Sequence, residues 1–230
     1  MSNVVSSALK EDYETAFSVQ AIVSQSWRLF TQCWLSHLGL AVVCYVPFIA
    51  FVAFLIQQKP AGQWGEDVPM LIALGLFLLG HGLGSSIRIH MVGSQLRGET
   101  PSVIQSTKAL LPRLVIILIV WFVSLFAGLL SLSFLVIPGI VFGAYFLAVT
   151  PAQILENLGP VASFRRSVAL TAKQRFEIFG LFITTYTLTL TTLFIPILIF
   201  FDSIWRAVAF HRLRIAKGEM MAQPSAAQRQ

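Results

Sequence analysis

The fold is decided by residues 114–155, LVIILIVWFVSLFAGLLSLSFLVIPGIVFGAYFLAVTPAQIL, a run of 42 residues without one charged side chain. As a helix rising 1.5 Å per residue it would be about 63 Å long, twice the ~30 Å of hydrocarbon that one span crosses. It therefore reads as two spans. Pro138-Gly139 is the strong break inside it, because proline interrupts a helix and glycine favours a turn. The spacing predicts a tight hairpin there, with one span near 114–136 and the next near 139–155. The run is apolar on every side, whereas a barrel strand alternates apolar and polar residues over ~10 positions, so the class is all-α. Composition agrees: 56% of residues are hydrophobic and 11% charged, with a mean hydropathy of +0.78, against the roughly 25% charge of a soluble domain.

Upstream of this run lies a basic stretch, Arg88 to Arg113. Within it Thr100-Pro101 reads as an N-cap and first helical proline, opening a short helix with Val103, Ile104, Thr107, Leu110 and Leu111 on it. A second span is predicted from Val68 to Ile87, ending in Gly80-His-Gly-Leu-Gly84, whose GxxxG spacing lets helices approach closely. Gly139 and Gly143 repeat that spacing. The first span is predicted from Leu38 to Ile56 with Pro47 inside it as a kink, followed by a polar loop with Lys59, Gly62 and Trp64. Before it, Val19, Ile22, Val23, Trp27, Phe30 and Trp34 recur at helical spacing opposite Gln20, Gln25, Arg28 and Gln32, the pattern of a helix lying in the membrane interface. Residues 1–16 carry Glu11, Asp12 and Glu14 and no apolar core of a signal peptide, so a polar tail and an uncleaved first anchor are expected. Cys33 and Cys44 have no metal or redox spacing and are expected to be reduced, inert thiols.

Downstream, Phe176 to Phe210 exceeds one span but is interrupted by Pro196, Asp202 and Arg206. Charge decides its topology. With cytoplasmic termini and six spans, 15 of the 16 Lys and Arg residues fall on the inner side and only Lys59 outside, as the positive-inside rule requires. With five spans the basic C-terminal segment would lie outside. Six spans are therefore expected, with the last hairpin turning near Phe194 to Pro196. Residues 17–217 form one membrane domain and 218–230 a disordered tail. Interface helices near 18–34, 101–112 and 160–173 each precede an apolar hairpin, which suggests a triplicated unit.

The segment after the long run carries a resemblance. Pro151-Ala-Gln-Ile-Leu-Glu156, then Gly159-Pro160, Ser163-Phe-Arg-Arg-Ser167 and Leu170-Thr171 resemble the glycerophosphoryl diester phosphodiesterase membrane domain family and its stand-alone bacterial relatives. The opening SVQAIVSQSWRLF and the closing FHRLRIAKGE resemble the ends of the same family, so nearly the whole chain is covered. Lys173-Gln174-Arg175 departs from the pattern, since a glycine commonly follows the lysine there. The family takes its name from fusions to a separate catalytic barrel of roughly 250 residues, for which this chain has no room. The resemblance implies a multi-pass protein of the bacterial inner membrane more than it implies a chemistry.

Catalytic patterns are missing from the sequence. His37, His81, His90 and His211 are scattered, with no HExxH, no paired carboxylate cluster and no GxSxG, so neither enzyme nor metal nor cofactor is expected. Asp202 and Arg206, spaced to pair along one helix face, and His81 are the intramembrane polar candidates. Their plainer reading is a structural ion pair and a hydrogen bond across close-packed helices. Glu156 is expected to pair with Arg165 or Arg166. Arg165, Arg166, Lys173, Arg175, Arg212 and Arg214 are candidates for holding anionic lipid headgroups; orientation alone explains them equally well. The net charge of +6 is assigned to lipid and orientation rather than nucleic acid. The expected function is a non-enzymatic membrane component that organises lipid, a membrane-protein partner or its own oligomer. The alternative is a transporter with a broken-helix pathway through Pro47, His81, Pro196, Asp202 and Arg206.

Overall fold

A computed structural model describes residues 17–58, 67–133, 143, 145–191 and 197–219. The described residues are predominantly helical, with no strand among them. They form α1 (Val19–Gln32), α2 (Trp34–Gln58), α3 (Asp67–Leu96), α4 (Val103–Leu110), a 3-10 turn at Leu111–Arg113, α5 (Leu114–Ser133), α6 (Val149–Leu155), α7 (Pro160–Thr171), α8 (Arg175–Thr191) and α9 (Ile197–Ala216). Three stretches are long and apolar enough to cross a membrane, namely Trp34–Gln57, Asp67–Leu96 and Val103–Ala127. The expected turn at Pro138-Gly139, the last turn near Pro196, the loop residues Lys59, Gly62 and Trp64, and residues 1–16 and 220–230 of the two tails lie outside the described residues.

The amphipathic start becomes α1, capped by the Ser18 hydroxyl, which accepts the Ala21 N–H at 3.2 Å. Ile22, Ser26 and Leu29 face inward while Trp27 and Trp34 stay about half exposed, the placement expected of interfacial aromatics. After a one-residue break at Cys33, α2 runs unbroken through Pro47. It packs chiefly on α3, and the contact is backbone to backbone. A Cβ built on Gly80 would lie 2.2 Å from the Cys44 carbonyl oxygen, so only glycine fits this approach.

Two boundaries differ from the sequence reading. The second span does not end at Ile87: α3 continues to Leu96 over 30 residues, about 45 Å. Within GHGLG, Gly80 and Gly84 pack against Cys44 of α2 and Gly82 against Trp121 and Leu118 of α5, and the helix runs on so that Arg88 lies inside the bundle. The short helix near 101 is capped by Ser102, whose hydroxyl accepts the Gln105 N–H at 3.4 Å, and not by Thr100. Pro101 precedes the cap.

The part of the fourth predicted span that is described is broken at Ala148. Pro151 has no N–H to give the carbonyl one turn earlier, that of Leu147. Ser167 of α7 bridges the gap, accepting the Ala148 N–H at 3.2 Å and donating to the Tyr145 carbonyl. The last helix, α9, is the centre of the bundle. Ile204, Trp205, Ala207, Val208, Ala209, Phe210 and Leu213 are all fully buried against α1, α3, α6, α7 and α8.

Candidate functional site

The polar interior is built where α9 crosses α3. Arg88 has no solvent exposure and donates from Nε to the Ser203 hydroxyl at 2.9 Å. A buried guanidinium is costly without nearby compensation, and the Asp202 carboxylate next to Ser203 attracts it through space. Asp202 is itself held by Arg206 at 2.8 Å, one turn on, and that guanidinium lies over the Trp205 ring, 5.6 Å from its centroid. Two turns before Arg88 on α3, the His81 Nδ1 meets the Tyr45 hydroxyl of α2 at 2.7 Å. Between them sits Cys44, against Gly80 and Gly84. Thus His81, Asp202 and Arg206 share one region with Arg88, which the sequence alone puts at the start of the basic stretch after the second span.

A second cluster closes the loop-side end. Glu156 ends α6 and receives Arg166 at 2.8 and 2.9 Å through both of its oxygens, a bidentate geometry. Arg214 of α9 reaches the same carboxylate at 3.2 Å. Glu219 joins both arginines, at 2.8 Å from Arg166 Nη1 and 3.4 Å from Arg214 Nε. Its carboxyl is held below the usual carboxylate range, chiefly by the Arg166 hydrogen bond, while Glu156 and then Glu219 push the Arg166 guanidinium above its ordinary value. Two carboxylates and two guanidinium groups thereby lock α6, α7 and the end of α9 together.

The six basic residues proposed for headgroups divide accordingly. Arg166 and Arg214 face these carboxylates, and Arg212 donates to Gln25 of α1 at 2.8 Å. Arg175 lies over the Tyr145 ring at 5.1 Å. Arg165 and Lys173 remain on the exposed surface. Of the packing glycines, Gly80 and Gly84 bear on Cys44, whereas a Cβ on Gly143 would meet only the Phe182 ring at 3.8 Å, ordinary contact. Gly139 lies outside the described residues.

A cleft of about 310 Å³ lies apart from both clusters, with His90, Arg113, Ile117, Gln153, Asn157 and Pro160 in its wall. Sequence reasoning singled out none of these as site residues. Asn157 carries the one local signal, a left-handed φ of 60° that asparagine tolerates better than most residues. Among the described residues no group of three or more His, Cys, Asp or Glu side chains could hold a metal ion. In comparisons with known proteins, no family model, no curated protein and no solved structure matches the chain, so the case for its function rests on its own residues.

Proposed function

We propose that the chain is a six-span component of the bacterial inner membrane with cytoplasmic termini, which organises lipid or partner proteins without catalysing a reaction. The resemblance to the glycerophosphoryl diester phosphodiesterase membrane domain belongs to this proposal, as does the triplicated unit, whose three interface helices would be α1, α4 and α7. The observation that carries the reading is the pairing of the polar groups gathered around the crossing of α3 and α9. Arg88 bonds Ser203, Asp202 bonds Arg206, and His81 bonds Tyr45, and none of these groups lines the cleft. Polar groups that hold one another specify helix packing, whereas a pathway needs them open to a passing solute. Outward faces are apolar, as at Val43, Ile56, Val115 and Phe126, each at least 66% exposed, which suits contact with acyl chains.

The transport reading is favoured by one feature, the gathering of His81, Arg88, Asp202 and Arg206 at the crossing of α3 and α9. Proteoliposomes decide between the two. The protein should leave the scrambling of a fluorescent phospholipid and the decay of a proton gradient at the rate of empty vesicles. Wild-type flux that Asp202→Asn abolishes would replace the proposal with a transporter. For orientation, Ala222→Cys in a Cys33→Ser, Cys44→Ala background should resist an impermeant maleimide in intact cells, and labelling there would overturn the six-span topology. Gly218 is a poor position for that cysteine because its φ is +74°.

A further inference from the structure

The cleft between α3, α4, α6 and the start of α7 has the chemistry of an anion site beside an apolar wall. Its volume of about 310 Å³ lies at the lower end of the ~300–1,000 Å³ of small-molecule sites. One side is polar. The Arg113 guanidinium lines it and donates to the Asn157 carbonyl at 3.1 Å, which fixes the group in place and uses one of its five N–H donors. Gly159 and Pro160 line it too, and they begin α7, a 12-residue helix with no side-chain cap. Pro160 itself has no N–H, but the first-turn amides that follow it, those of Val161 and Ala162, carry a partial positive charge and are ready donors to an anion.

Gln153 is the independent sign of a ligand. It belongs to the cleft wall, is only 5% exposed, and its Oε1 is buried with no hydrogen-bond partner. A buried polar atom left so is uncommon and costs stability. Its need is for a hydrogen-bond donor. Among the described residues no carboxylate lines the cleft, so an ammonium would find no opposite charge from them, whereas a hydroxyl would suit the amide. The other side of the cleft is apolar, with Ile116 and Ile117 on the first turn of α5 and Leu158 across from them. Arg113 stands where the uncharged run begins, which places the polar side at headgroup level and the apolar side toward the hydrocarbon.

From this arrangement we infer that the cleft binds one anionic phospholipid, its phosphate held by Arg113 and the α7 N-terminus, a headgroup hydroxyl given to Gln153, and an acyl chain laid against Ile116 and Ile117. The inference rests on the membrane reading above and deepens it by naming the lipid class and the seat. A phosphate-plus-hydroxyl ligand without chains has the same polar chemistry, and the apolar wall favours the lipid.

The test is calorimetric titration of the full chain, delipidated in mild detergent. The ligands are dihexanoyl phosphatidylglycerol, dihexanoyl phosphatidylcholine, glycerol 3-phosphate and inorganic phosphate. Phosphatidylglycerol should bind tightest, with the other three weaker by about tenfold or more, the worth of one charge-assisted hydrogen bond. Arg113→Gln and Gln153→Leu should each weaken it by about tenfold. Ala109→Trp, at an exposed wall position, should block it while leaving the lipid-free melting temperature unchanged. Arg28→Gln, at an exposed arginine of α1 away from the cleft, should have no effect. Phosphatidylglycerol affinity that survives both Arg113→Gln and Ala109→Trp would overturn the cleft and spare the lipid-organising reading. Equal affinity for glycerol 3-phosphate would overturn the lipid assignment, and no binding of either lipid by the wild type would overturn inference and reading together.

Discussion

Replacing Gly80 by alanine isolates the contact on which α2 and α3 are joined. The added Cβ would sit 2.2 Å from the Cys44 carbonyl oxygen and 3.2 Å from its carbon. Backbone on the other side cannot swing away as a side chain tip can, so the helices must separate by roughly 1 Å. Overpacking of this kind costs about 1–3 kcal/mol. Alanine also gains about 0.5–1 kcal/mol of helix propensity over glycine, which partly offsets that loss. Gly75 supplies the reference, since it lies on the same helix and a Cβ there meets nothing within 4 Å. Gly75→Ala should be neutral or slightly stabilising, and Gly80→Ala should be less stable than Gly75→Ala by about 1–3 kcal/mol. The gap should also show as a weakened Tyr45–His81 hydrogen bond, because His81 is the next residue. The assay is reversible unfolding in mixed detergent and SDS micelles, followed by tryptophan fluorescence. Equal midpoints for the two variants would refute the backbone contact.

Other consequences follow from single groups. Ser203→Ala removes the hydroxyl that receives Arg88 Nε and should destabilise by about 1–3 kcal/mol in the same unfolding assay, more than Ser203→Thr. Asn157 holds a left-handed φ of 60°, so Asn157→Gly should leave the melting temperature equal or higher, while Asn157→Val should cost about 1–2 kcal/mol. The Glu219 carboxyl has a folded-state pKa below its unfolded value, so its contribution is present above the unfolded value of about 4.3 and is lost as pH falls through the depressed folded value. Because the pair is partly exposed, about 0.5–1 kcal/mol is expected. Melting followed from pH 6 to pH 3 should fall less steeply in Glu219→Gln than in the wild type.

Hydropathy was enough to place the amphipathic helix α1, the long apolar helices α2 and α5, and the short helices before and after the long uncharged run, since each of these is defined by its own residues and caps. The end of α3 was not legible. The GxxxG of GHGLG marks a close helix approach, but nothing local says whether the helix stops at Ile87 or runs on to Leu96. Arg88 was hidden for a related reason. Its partner Ser203 is 115 residues away, so a residue that looks like the start of a basic loop becomes the centre of the polar interior. The helical break at Ala148 did have a sequence cause, Pro151, which was instead taken up in a family-like motif. The central role of α9 was masked by Asp202 and Arg206, whose mutual pairing along the helix lets so polar a segment be buried. The paired arginines after Gly159-Pro160 split, Arg166 inward and Arg165 outward, as adjacent residues on a helix must, because neighbours lie about 100° apart around its axis.

The most direct test of the central claim is native mass spectrometry of the full chain released from the membrane in mild detergent. A membrane component that organises lipid or partners should fly with bound anionic phospholipid, with a second protein, or as a defined oligomer, and Arg28→Gln, at an exposed arginine outside the headgroup candidates, should leave that pattern unchanged. A bare monomer that holds neither lipid nor protein under conditions that preserve its fold would contradict the account.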